Sequence, residues 1–131
     1  MKKNIEYVID TSFLTEAFEN AEDLRHASVF TTGVALYAPK LIYWEMCNVI
    51  LFKEKKGTVK SGHIAFIWSF LSTVRMHESD FLEIYDLAKR TDLTFYDASY
   101  LQTAIDLRLP LATYDKQLRK AAESCQIKLL S

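Results

Sequence analysis

Apolar positions along this chain follow two habits: short unbroken runs that suit buried strands, and longer stretches that recur at helical spacing. Tyr7, Val8 and Ile9 form the first run and stop at the polar cluster Asp10, Thr11 and Ser12, as a buried first strand would. Phe13, Leu14, Ala17 and Phe18 then recur as a helix, and Leu24, Ala27, Val29 and Phe30 predict another across Asp23 to Phe30, before a link near Gly33. Ala35 to Ala38 reads as a short strand closed by Pro39. Leu41 to Lys56 reads as one long helix, nearly all apolar up to Lys53, with Gly57 placed to end it. Its polar interruptions are Glu45 and Asn48.

Lys60 to Val74 predicts a helix dense in large residues, among them Phe66, Trp68 and Phe70. Val74 to His77 is a strand candidate, and Asp80 to Lys89 a further helix. From Leu93 the chain twice brings a carboxylate to the start of a helix. Asp97 opens the stretch carrying Ala98, Tyr100, Leu101, Ala104 and Ile105, and Asp115 follows the apolar run Leu109 to Ala112 and precedes Leu118, Ala121 and Ala122. Ile127 to Leu130 predicts a last short strand. Strands alternating with helices imply a single α/β domain over residues 1–131, a three-layer α/β/α sandwich around a mainly parallel sheet of four or five short strands. In such sheets ligands bind beyond the carboxyl ends of the strands, so Asp10 and Asp115 are expected at one rim.

Composition narrows the class. The 131 residues are half hydrophobic and one quarter charged, with three Gly and two Pro, which suits one compact domain rather than a disordered chain. A net charge of −1 argues against a strongly electrostatic, sequence-indifferent nucleic-acid binder but permits a local basic patch. Cys47 and Cys125 are far apart and form no paired zinc or redox motif. The apolar run before Asp10 is too short for a signal-peptide core, so a cytoplasmic protein is expected.

Each aspartate has a plain structural reading. Asp10 and Asp115 can cap the helices that follow them, and Thr94 with Asp97 resembles a capping box. Glu45 lies either on a narrow solvent-facing stripe with Asn48 and Lys55 or Lys56, on which Phe52 also falls, or inside an enclosed helix, where a carboxylate needs a cation or strong hydrogen bonds. The four acids together say more than any one. Crowded carboxylates raise one another's pKa and are stable mainly when divalent cations neutralise them. An all-oxygen donor set suits Mg²⁺ or Mn²⁺, ions that acidify water and stabilise charge on a phosphodiester.

These segments also carry a resemblance. VIDTSFL (8–14), PKLIYWEMCNVI (39–50), LTFYDASYLQTA (93–104) and LATYDKQLRKAA (111–122) resemble the motifs of PIN-domain ribonucleases of the VapC type, the toxins of type II toxin–antitoxin systems. The resemblance implies metal-binding, catalytic roles for Asp10, Glu45, Asp97 and Asp115, with Thr113, Asn48, Thr11 and Ser12 orienting carboxylates or metal waters. It further implies Mg²⁺ or Mn²⁺ as cofactor, RNA as substrate, products bearing a 5′-phosphate and a 3′-hydroxyl, a cognate antitoxin as partner, and a homodimer or antitoxin contact through the aromatic helix.

Three other readings remain open from sequence: a stand-alone RNA-processing nuclease of the same fold, a phosphoryl-transfer enzyme, and a catalytically silent interaction module. The second wants an Asp two positions after Asp10, where Ser12 stands. His26, His63 and His77 have no mutual ligand spacing, while Lys53, Lys55, Lys56 and Lys60, and Lys116, Arg119 and Lys120, are either solvated helix positions or phosphate contacts.

Overall fold

The computed structural model describes residues 5–19, 33–59 and 61–130. Among these residues the elements are β1 (Ile5–Ile9), α1 (Thr11–Glu19), β2 (Val34–Ala38), α2 (Leu41–Lys55), α3 (Ser61–Leu71), β3 (Arg75–Met76), α4 (Phe81–Thr91), α5 (Phe95–Leu107), β4 (Leu111–Ala112) and α6 (Lys116–Ser124). The helix expected across Asp23 to Phe30 lies outside the described residues.

The strands pair in parallel in the order β3-β2-β1-β4. Parallel neighbours need crossovers, and helices packed against such a sheet leave the strands no solvent face. Val8, Ile9, Ala38, Leu111 and Ala112 accordingly have no exposed surface, and the chain forms the expected three-layer α/β/α sandwich. Register then places the chemistry. Val8 pairs with Leu111 and Ile9 with Ala112, so Asp10 leaves β1 alongside Thr113 leaving β4.

The core centres on α5. Ala98, Ser99, Tyr100, Leu101, Gln102, Thr103 and Ala104 are all buried in succession, because α5 is packed against β1, β2, α4 and α6. Its polar members find partners: Ser99 donates to Tyr96 O, Thr103 to Ser99 O, and Gln102 to Asp106 at 2.9 Å. Thr94 caps the helix by accepting from Asp97 N at 3.1 Å, and Asp80 caps α4 by accepting from Leu82 N and Glu83 N.

Three expectations are revised and one holds. The strand expected over Ile127 to Leu130 contributes only a single parallel bridge, Leu129 to Leu111, because the two-residue β4 offers no longer template. Helix α2 is enclosed on one line alone, Ile42, Met46 and Ile50, while Trp44, Leu51 and Phe52 face solvent. Its solvent-facing side is therefore broad rather than a narrow stripe. Helix α3 stops at Leu71 instead of Val74, since the Ser72 and Thr73 hydroxyls fold back onto Ser69 O and Phe70 O and compete with further helix. Gly57 does end α2: its φ of 70° is one glycine adopts freely, and its N–H returns to Glu54 O.

Candidate active site

Two loops meet at the carboxyl edge of the sheet, one after β1 and one after β4, and hydroxyl groups sew them together. Thr113 donates to Asp10 Oδ2 and accepts from Asp115 N at 3.0 Å. Ser12 donates to Asp10 Oδ1 at 2.8 Å and accepts from Tyr114 N at 3.0 Å. Each hydroxyl thus gives its proton to Asp10 and accepts from a backbone N–H of the loop after β4, Ser12 from across the seam and Thr113 from its own side. Phe13 N adds a third donor to Asp10, at 2.9 Å, so the same carboxylate caps α1. Asp115 in turn caps α6 by accepting from Leu118 N at 2.8 Å.

Glu45 enters from the second turn of α2, half-buried. Its Oε1 accepts from Tyr100 at 2.6 Å and from Thr11 at 3.1 Å, while the Thr11 and Tyr100 hydroxyls lie 2.9 Å apart. With one proton each, the two hydroxyls hold a single carboxylate oxygen in a compact triangle. Asp97 stands one turn before Tyr100 on the same face of α5, the ordinary consequence of an i, i+3 spacing.

The four acids feel one another. Burial pushes the Asp10 carboxyl above its ordinary pKa, hydrogen bonds from Thr113, Phe13 N and Ser12 oppose this, and the charge of Asp115 adds to the rise. Asp97 is also raised, first by burial, then by the charge of Asp115 and more weakly by Glu45, against the Thr94 hydrogen bond. The Tyr100 hydroxyl is held protonated by burial, by the neighbouring Glu45 charge and by its bond to that carboxylate, with Asp10 contributing further. Asp10, Glu45, Asp97 and Asp115 are therefore linked in one electrostatic network. Among the described residues no Lys, Arg or His forms an ion pair with any of them.

This donor set, all carboxylate oxygen with hydroxyls around it, fits a hard divalent cation, which would relieve the mutual repulsion. It is not a finished cage. Among the described residues no three His, Cys, Asp or Glu side chains are gathered closely enough to hold an ion jointly. Asp10 and Asp115 are instead turned toward cap amides and Glu45 toward two hydroxyls, so ligation would require side-chain rotation away from some of these donors.

Thr11, Ser12 and Thr113 each contact an acid, whereas Asn48 is exposed and, among the described residues, bonds to none of the four. Tyr100 emerges as a contributor that the apolar pattern of α5 concealed. Its spacing from Asp97 was the available signal. Arg119 donates to Thr113 O at 2.8 Å, so it braces the β4–α6 loop rather than standing free in solvent. His77 pairs with Asp106 at 3.0 Å, away from the acids.

The fold and the rim define an α/β/α domain with Asp10 and Asp115 at the carboxyl edge of a parallel sheet. The PIN domain family matches residues 7–124, and the chain belongs to that family, whose fold is generally that of nucleases. The crystal structure of PAE2754 from Pyrobaculum aerophilum superposes with a TM-score of 0.72 at 24% identity, covering 90% of this chain and 80% of that one, a likeness of fold. A comparison with curated proteins finds no match. Among the described residues, no helix is long and apolar enough to cross a membrane.

Proposed function

We propose that the protein is a Mg²⁺- or Mn²⁺-dependent endoribonuclease, the toxin of a toxin–antitoxin pair, with Asp10, Glu45, Asp97 and Asp115 as its metal-binding acids. One observation carries this reading: hydrogen bonds join the surroundings of the acids, Thr113 linking Asp10 to the Asp115 backbone while Thr11, the neighbour of Asp10, shares Glu45 with Tyr100 of the helix that carries Asp97. Capping alone asks for no such convergence.

A bound divalent cation would supply positive charge for the phosphodiester and lower the pKa of a water. The chain's own groups prepare that site. Thr113 and Ser12 donate to Asp10, and Tyr100 and Thr11 engage one oxygen of Glu45, contacts that a bound cation would replace in part. The toxin assignment rests on the resemblance of the four motif segments, and with it come a cognate antitoxin that would cover the rim, a homodimer and a cytoplasmic setting.

The test is incubation of purified protein with end-labelled RNA and Mn²⁺. Cleavage abolished by chelator and by Asp97→Asn supports the reading; cleavage indifferent to both contradicts it.

A further inference from the structure

Three of the four acids directly follow an exposed aromatic residue: Trp44 precedes Glu45, Tyr96 precedes Asp97 and Tyr114 precedes Asp115, with 68%, 62% and 57% of their surfaces open to solvent. Large rings left in water beside a polar rim are the exception that asks for an occupant. Trp44 and Tyr96 line the same groove, about 280 Å³ in volume, with Pro39, Leu41, Phe81 and Phe95 completing its apolar wall. The Phe81 and Phe95 rings lie tilted at 6.0 Å. None of the four acids lines this groove itself, but Trp44 and Tyr96 are chain neighbours of two of them, whereas two larger hollows of about 710 and 630 Å³ are bounded by charged residues of α4 and by the chain around Cys125.

We propose that the groove between Trp44 and Tyr96 is a subsite for one unpaired nucleobase of an RNA strand whose phosphodiester lies at the acids, an inference that rests on the nuclease reading above. Size is the first argument. A cavity near the ~300 Å³ lower end of small-ligand sites admits a base with its sugar but not an α-helix, which is about 10–12 Å across. Position is the second. The groove is walled by the first turns of α2, α4 and α5, and its Trp44 and Tyr96 adjoin Glu45 and Asp97 in the chain, so a base seated there leaves its own backbone beside the helix starts that carry these acids.

Chemistry is the third. Flat π faces accept any base by stacking, and only an unpaired base offers its face. Lys40 lines the groove and brings positive charge for the backbone, while Glu78, also in the lining, is partly engaged by Lys40 N at 2.6 Å. Beyond Asp115, the Tyr114 ring is backed by Phe13, stacked at 5.6 Å and 13°, and its outward face offers a second platform for the same strand.

Fluorescence tests this directly, because the chain has two tryptophans and Trp68 lies outside the groove. In Trp68→Phe protein with chelator present, a single-stranded oligoribonucleotide is expected to quench Trp44, whereas the same sequence as a duplex or as an abasic strand leaves it unchanged. Trp44→Ala should weaken strand binding about 5- to 100-fold, with Trp44→Phe recovering most of the loss. Equal quenching by duplex or abasic strand, or none at all, overturns the subsite. So does a spectral shift that grows with protein concentration alone, which would assign the groove to a second copy of the chain. Cleavage on addition of Mn²⁺ separates the two readings: unaltered cleavage and KM in Trp44→Ala removes the subsite and leaves the nuclease, while base-dependent quenching without cleavage removes the nuclease and leaves the subsite.

Discussion

Tyr100 donates a 2.6 Å hydrogen bond to Glu45, joining two residues on helices α5 and α2 that are 55 positions apart. The tyrosine is almost wholly buried, so its hydroxyl has no alternative in water and the carboxylate is held firmly. Tyr100→Phe keeps the ring and removes the bond. Partners that orient metal ligands are worth about 10- to 100-fold in activity or metal affinity, and a loss in that range is expected in the cleavage rate, with KM for RNA little changed. Chain stability should fall by about 1.5 kcal/mol, read from denaturant unfolding. A variant as active as the parent would remove Tyr100 from the account.

Thr113→Val tests the seam between the two loops. The hydroxyl serves Asp10 and Asp115 N together, and Asp10 is only 5% exposed, so valine leaves a buried charge short of a donor. A loss of about 1.5–3 kcal/mol is expected in the metal-free protein. Mn²⁺ should restore part of it by taking the place of the missing donor; full destabilisation unaffected by Mn²⁺ would place Asp10 outside any metal site.

The pH dependence of stability separates strained acids from ordinary ones. Asp10 and Asp97 are raised above the ordinary 3.8, mainly by burial. A carboxyl harder to ionise when folded stabilises the chain fully below its unfolded pKa, and that contribution disappears as pH rises through the folded value. Asp106 works the other way: despite desolvation, hydrogen bonds from Gln102 and His77 keep its pKa low, so its contribution is lost on acidification. Comparing Asp97→Asn with the parent in chelator cancels Asp106. The variant's advantage in melting temperature should grow as pH rises from about 4, the unfolded range, through the higher folded value of Asp97. A constant difference would mean that Asp97 is not strained.

Thr94→Ala removes the cap of α5, whose N-terminus carries Asp97. A cost of about 1 kcal/mol is expected, with a smaller effect on cleavage than Asp97→Asn has. Equal losses of activity would show that the threonine acts at the site and not only on the helix.

Much of the architecture was legible in the pattern of apolar residues, because strands buried on both faces read as unbroken runs and Tyr7 to Ile9 could be little else. Asp10 and Asp115 were equally legible as helix caps, and capping is the geometry they adopt, while Asp97 sits in the first turn of a helix that Thr94 caps. What sequence alone left open was whether the caps shared a rim. Register decides that, since pairing Ile9 with Ala112 sets Asp10 against Thr113. The exposed side of α2 was misread for a physical reason: Trp44, Leu51 and Phe52 are apolar, and hydrophobicity alone does not distinguish a buried stripe from one kept open. The last strand was misread for another, as β4 is too short to pair with more than one position of the Ile127 to Leu130 run.

Calorimetric titration with Mn²⁺ tests most directly whether the four carboxylates form one site. The parent protein is expected to bind with measurable heat, and Asp10→Asn, Glu45→Gln, Asp97→Asn and Asp115→Asn should each lose at least about tenfold in affinity while remaining folded. Binding of equal strength in all four variants, or no binding by the parent, would contradict a shared metal site and return Asp10 and Asp115 to the single task of capping their helices.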